Sequence, residues 1–165
     1  MARDPNAAGY ALDTLAIHAG YEPEPVTGAV MPPIVLSTTF AQEGPGNHKG
    51  FEYGRSGNPT RNALEGCLAA LEGAKHGLAY ASGCAATTNV LHLLSPGDHV
   101  VCGDDVYGGT FRIFDRIMKP FGITASFVDM RDLDLVKKAF TPKTKLVWME
   151  TPSNPMLKIF DIAGV

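Results

Sequence analysis

An α/β fold, a three-layer sandwich around a mostly parallel sheet, is predicted by two features of this sequence. Between residues 78 and 149, short apolar runs alternate with helical patterns in β-α-β-α-β-α-β order. The runs His99-Val100-Val101-Cys102 and Lys145-Leu146-Val147-Trp148-Met149 are apolar on consecutive rather than alternate residues. Such runs suit parallel strands covered by helices on both faces.

Residues 1–57 form an amino-terminal arm, because Pro5, Pro23, Pro25, Pro32, Pro33 and Pro45 with scattered glycines leave only short apolar runs such as 34–36. Residues 58–165 form the large domain, read as partial. Its first helix starts at Asn58, a capping residue, with Pro59 in the first turn and Leu64, Leu68 and Leu71 on one face until Gly73 closes it. A strand is expected over 78–81, a helix to Leu94, a strand over 99–102 and a helix to about Phe121. A strand over 124–128, a helix to Phe140 and a strand over 145–149 complete the order.

With 165 residues, 45% hydrophobic and 19% charged, the chain can bury one ordinary core. A formal net charge of -3 and the lack of a Lys/Arg run argue against nucleic-acid binding. The start, MARDPNAAGY, lacks a secretory layout, and no segment approaches the roughly eighteen apolar residues that span a bilayer. A soluble cytoplasmic protein with no membrane partner is expected. Cys67, Cys84 and Cys102 are odd in number and lie outside any CxxC or Cys/His cluster, so they read as reduced thiols, with no metal site.

Ligands of such sheets sit at the carboxyl ends of strands. After residue 81, Ser82 is placed to cap a helix whose free N–H groups at Gly83 and Cys84 suit a phosphate; a plain cap followed by small packing residues explains the same letters. After residue 103, Tyr107 suits stacking on a flat cofactor or simple packing, with glycines behind it, while Asp104 and Asp105 read as cap and solvated loop charges. After residue 149, Pro152 and Pro155 hold Asn154, as a hydrogen-bonding amide or a turn residue. Upstream, Phe51 to Arg61 (FEYGRSGNPTR) sets a phosphate-competent Arg beside a Tyr and a helix start. No GxGxxG follows an expected strand, which argues against a nicotinamide site.

Together with Ala16-Ile17-His18-Ala19-Gly20, Pro32 to Phe40 (PPIVLSTTF), Gly103 to Thr110 and Lys145 to Pro155, these segments resemble the Cys/Met-metabolism enzymes that use pyridoxal phosphate, most closely their cystathionine gamma-lyase branch. The resemblance covers nearly the whole chain. It implies the fold-type I large domain, and pyridoxal 5'-phosphate as cofactor. It further implies a homo-oligomer, a homotetramer in this branch, with active sites shared between subunits. Tyr53 and Arg55 would reach a neighbour's cofactor phosphate, Gly83 and Cys84 would donate N–H groups to their own, Tyr107 would lie over the ring, and Asn154 would bond the ring hydroxyl. Arg112 matches an arginine near the substrate, although a solvated helix charge is the plainer reading of it.

The implied reaction is that of a carbon–sulfur lyase of transsulfuration and cysteine biosynthesis, cleaving cystathionine to cysteine, 2-oxobutanoate and ammonia. Cystathionine gamma-synthase and O-acetylhomoserine sulfhydrylase share the motifs. Gly109, where methionine gamma-lyases carry Cys, favours a cystathionine-type substrate. Gly54 stands where relatives carry Ser or Thr and is expected to loosen the segment that aims Tyr53 and Arg55. Cys84 replaces a Leu or Met without consequence for a backbone donor. The family's Schiff-base lysine, in a Ser-x-Thr-Lys segment, does not occur in these residues, so no catalytic residue is assigned. The chain reads as the amino-terminal part of a longer protein, inactive and prone to aggregate alone. A non-catalytic short subunit that pairs with full-length chains is the alternative of another class.

Overall fold

A computed structural model describes residues 9–165 of the chain; Pro5 of the expected arm lies outside them. The chain divides into two compact units, Met1–Ala79 and Tyr80–Val165.

The first unit contains α1 (Leu12–His18), a hairpin of β1 (Gln42–Gly44) with β2 (Asn47–His48), and α2 (Pro59–Leu71). The Asn58 side chain caps α2 by accepting from the N–H groups of Thr60 and Arg61 at 2.9 and 3.1 Å, with Pro59 in the first turn. Gly73, at φ 61°, follows the end of the helix. The same Asn58 donates through Nδ2 to the Val35 carbonyl at 2.9 Å, and Thr60 Oγ1 accepts from Val35 N–H and donates to the Pro33 carbonyl, each at 2.9 Å. These bonds fasten the proline-rich segment to the start of α2. The arm is not free of regular structure, since residues 12–18 are helical. That helix packs on α2 through Gly20, whose missing Cβ would lie 2.2 Å from the backbone nitrogen of Cys67. Helix α2, expected to open the following domain, groups with the amino-terminal unit.

The second unit runs α3 (Gly83–Leu91), β3 (His99–Gly103), α4 (Gly108–Arg112), a π-helix (Ile113–Met118), a 3-10 turn (Lys119–Phe121), β4 (Thr124–Val128), α5 (Leu133–Ala139) and β5 (Thr144–Trp148). The sheet order is β4-β3-β5, all parallel, with Val100 opposite Ala125 on one side and Leu146 on the other. Central β3 is buried along its whole length. Val100 and Cys102 join Leu91, Ile113, Phe114 and Met118 in one core, while Val101 joins Met130, Val136 and Phe160 in another. Burial of each valine contributes on the order of 1.5–3 kcal/mol. The consecutive apolar run therefore exists because both faces of the strand are covered, and the unit is a three-layer α/β arrangement.

Two expected elements differ. Residues 78–81 form no strand; a strand needs a ladder partner, and none of the described strands, the edge strands β4 and β5 included, pairs with them. The expected helix to Phe121 changes character after Arg112. In the wider π turn, Ile113, Phe114 and Met118 all reach the core, an i, i+1, i+5 spacing that an α-helix would splay apart. Because the strands are parallel, the loops after β3 and β5 leave from the same edge of the sheet. At the opposite edge, buried His99 bridges all three strands, with Nδ1 2.8 Å from Thr144 Oγ1 and Nε2 2.9 Å from Ser126 Oγ.

Candidate functional site

Helix α3 starts at Gly83, just after Ser82. Ser82 Oγ caps the helix by accepting from Ala85 N–H at 3.2 Å. The N–H groups of Gly83 and Cys84 have no acceptor among the described residues, and a Cβ on Gly83 would meet nothing within 4 Å. Two unbonded donors at an open helix start form an anion cradle.

Tyr107 follows β3 and stands half exposed, at 51%. Its backbone N–H donates to Glu150 Oε2 at 2.8 Å, Thr110 Oγ1 donates to Glu150 Oε1 at 2.7 Å, and Trp148 Nε1 donates to the same oxygen at 3.1 Å. The ring leans on Gly109: a Cβ there would lie 2.4 Å from Tyr107 Cε1 and 2.8 Å from Cys84 Sγ. Cys84, Tyr107, Gly109 and Arg112 line one groove of about 680 Å³ together with Asn89 and His92. No carboxylate among the described residues pairs with Arg112. Beneath the groove, burial, reinforced by the Glu150 carboxylate, pushes the Cys102 thiol up to about 12, so it is a packed core group and not a nucleophile.

Asn154 does not line that groove. Its side chain is exposed and has no hydrogen-bond partner among the described residues, on a loop held from beneath. Ser153, 1% exposed, donates its hydroxyl to Asp105 and accepts from Lys158 N–H at 2.8 Å, while Met156 N–H donates to Asp105 Oδ2 at 2.9 Å. Lys158 Nζ pairs with Asp104 at 2.8 Å and Asp129 at 3.4 Å. Asp105 is thus a buried acceptor, not the solvated loop charge expected of it; two donors from one short loop, the Ser153 hydroxyl and the Met156 N–H, draw it inward.

In the amino-terminal unit, Tyr53 pairs with Thr39 in an antiparallel bridge, and a tight turn follows in which Gly57 N–H donates to the Tyr53 carbonyl at 2.9 Å. The Arg55 guanidinium lies over the Tyr53 ring with no carboxylate partner among the described residues. Arg61 brackets the turn, its two terminal nitrogens each 3.4 Å from the carbonyls of Gly54 and Arg55, and is backed by Glu65 at 3.7 Å. Gly54 does not loosen this segment. Its N–H donates to Thr38 O at 2.7 Å, and a Cβ would lie 3.0 Å from Ser37 O, so the bare backbone permits the close approach.

Glu150, Asp105, Ser153 and Arg61 were not singled out in the sequence as residues that position the others. The one local signal was Glu150, an acid directly after an apolar strand. Among the described residues, no group of three His, Cys, Asp or Glu side chains could hold a metal ion, and no helix is long and apolar enough to cross a membrane.

Residues 13–165 match the family described as Cys/Met metabolism PLP-dependent enzymes. The chain is 54% identical over 156 residues to a probable cystathionine gamma-synthase of Herpetosiphon aurantiacus, covering 94% of this chain and 49% of that protein. It is 59% identical over 152 residues to human cystathionine gamma-lyase, covering 92% of this chain and 38% of that one. Among solved structures, metB from Corynebacterium glutamicum superposes with a TM-score of 0.91 at 49% identity, over 99% of this chain and 42% of that one. The chain spans less than half the length of each of these relatives.

Proposed function

The chain belongs to the Cys/Met metabolism PLP-dependent enzyme family, and on that premise we propose that it forms the amino-terminal part of a carbon–sulfur lyase that cleaves cystathionine to cysteine, 2-oxobutanoate and ammonia. The family's cofactor is pyridoxal phosphate. The observation that carries the reading is the convergence of Cys84, Tyr107 and Arg112 on one groove, beside the unbonded N–H groups of Gly83 and Cys84.

The donor set fits this cofactor. Two free amides and an open Gly83 suit a phosphate dianion, a half-exposed ring on a fixed backbone suits a flat heterocycle, and the free Asn154 amide suits a ring hydroxyl. When bound, pyridoxal phosphate supplies an electron sink for carbanion chemistry at an amino acid's alpha carbon. Gly83 and Cys84 hold the phosphate through their amides, so the identity of side chain 84 matters little there. Tyr107 covers one face of the ring and excludes water from it. Asn154 fixes the ring's rotation by its amide. Arg112, without an acid partner among the described residues, is available to meet a substrate carboxylate. No residue among the 165 is assigned to proton transfer, because the family's Ser-x-Thr-Lys segment is not among them.

Tyr53 and Arg55 complete the phosphate site of a neighbouring copy in a homo-oligomer. The stacked guanidinium supports this role, since a cation with no acid partner among the described residues suits an incoming dianion. Gly109 supports the cystathionine-type substrate: a Cys side chain there would displace the Tyr107 ring or Cys84.

Assaying the full-length protein with pyridoxal phosphate and cystathionine tests the reading. Release of 2-oxobutanoate with cysteine supports it. Pyruvate with homocysteine would reassign the chain to cleavage on the beta side, and cystathionine formation without cleavage would reassign it to a synthase.

A further inference from the structure

The loops after β3 and β5 exchange carboxylates. From the β5 side, Glu150 accepts the Tyr107 N–H and the Thr110 hydroxyl of the β3 loop and α4, at 2.8 and 2.7 Å. From the β3 side, Asp105 accepts the Ser153 hydroxyl and the Met156 N–H of the β5 loop. Each loop therefore supplies the acid that fixes the other. Asp105 lies two residues before Tyr107, and Ser153 immediately precedes Asn154.

We propose that Glu150 and Asp105 are positioning residues that cross-brace the two loops, so that Tyr107 and Asn154 address the cofactor as one rigid unit. This rests on the reading of Tyr107 and Asn154 as cofactor contacts. The physical case has three parts. Hydrogen bonds to a carboxylate are about twice as strong as neutral ones. No cation among the described residues competes for either acid. Glu150 is also anchored in its own strand through Trp148 Nε1 at 3.1 Å, which stops it from following the loop it holds. Rigid presentation matters because a stacked ring and an in-plane amide must keep a fixed relative angle, and two independently mobile loops would not maintain one.

The test uses the full-length protein with Glu150→Gln and Asp105→Asn, both near-isosteric, and Ser153→Ala as a milder third variant should either fail to fold. Amide hydrogen exchange is read without cofactor, and the visible circular dichroism and affinity of bound pyridoxal phosphate are read with it. Cross-bracing predicts effects on the far loop. Glu150→Gln raises exchange at Met156 and Lys158 as well as at Tyr107, and Asp105→Asn raises it at Tyr107 as well as at Met156, each by about fivefold. Both variants shift the cofactor's dichroism, and its affinity falls by about five- to tenfold. Exchange changes confined to the loop each acid bonds directly would overturn the brace. Far-loop changes with unaltered dichroism and affinity would overturn its positioning role. If the unsubstituted protein binds no pyridoxal phosphate, the functional reading fails and the positioning role with it, while the exchange data still decide whether the loops are braced.

Discussion

The guanidinium of Arg55 lies over the ring of Tyr53, its Cζ 4.5 Å from the ring centroid. The two residues are separated by Gly54, whose N–H anchors the turn to Thr38. Stacking keeps a long cationic side chain in one orientation without spending its charge on an acid, and an exposed pair of this kind is worth about 0.5–1 kcal/mol.

Arg55→Lys should therefore weaken pyridoxal phosphate binding in the assembled protein by about tenfold, since the ammonium keeps the charge but loses both the fork and the stack. Tyr53→Ala should produce a smaller loss, through the orientation of Arg55. Cofactor titration by absorbance measures both, and an Arg55→Lys protein that binds as tightly as the unsubstituted one would remove Arg55 from the phosphate site.

Gly20→Ala should destabilise the amino-terminal unit by about 2–4 kcal/mol. The backbone is left-handed at φ 86°, and the added methyl would sit 2.2 Å from Cys67 N and 2.6 Å from Gly66 C, where no flexible side chain can give way. Denaturant midpoints compared with those of Gly83→Ala check this, because a Cβ at Gly83 meets nothing within 4 Å.

His99→Leu should cost about 1–3 kcal/mol, as it leaves the Ser126 hydroxyl without its partner and takes one hydrogen bond from Thr144, which keeps the Thr141 N–H. The loss should appear in thermal unfolding, while Tyr107 and Asn154, at the opposite edge of the sheet, leave cofactor affinity unchanged.

Alkylation at pH 8 should label Cys67 and Cys84 and spare Cys102. The first two are partly exposed, and the third is buried with its thiol pushed up to about 12. Peptide mass spectrometry reads the sites; rapid labelling of Cys102 in the folded protein would contradict the closed core.

Acid should weaken the cluster around Asp129. The Arg131 hydrogen bonds, with a smaller contribution from Lys158, hold the Asp129 carboxyl below the ordinary carboxylate range. A depressed folded value means that the unfolded chain takes up the proton first. The contribution to stability is thus fully present above about pH 4, the ordinary Asp value, and is lost as pH falls through the folded value. Asp129→Asn should flatten this part of the acid limb of a stability–pH profile, and an unchanged limb would sink the assignment.

Much of the fold was legible because its signals are local. Asn58, Pro59 and the leucine spacing specify α2 within a few turns, and Ser82 caps α3 from three residues away. The runs at 99–102 and 145–149 reveal strands covered on both faces because consecutive apolar residues have no other stable placement. The proposed cofactor contacts Gly83, Cys84, Tyr107 and Asn154 rest on the same local logic, each lying just past a segment expected to be a strand.

What the tertiary structure decided depends on partners distant in sequence. Residues 78–81 have a strand's composition but no neighbour to pair with, and a strand is a property of two segments. The π turn at Ile113–Met118 is set by where the sheet requires three apolar side chains, not by helix propensity. Asp105 and Glu150 look like ordinary loop acids in sequence, because their donors lie 40 to 51 positions away. The sequence by itself determined α2, α3 and the three strands of the parallel sheet, because caps and apolar spacing act over a few residues. Only the tertiary structure decided which carboxylates face water and which hold the loops of Tyr107 and Asn154, because a buried acid's role is defined by the donors that folding brings to it.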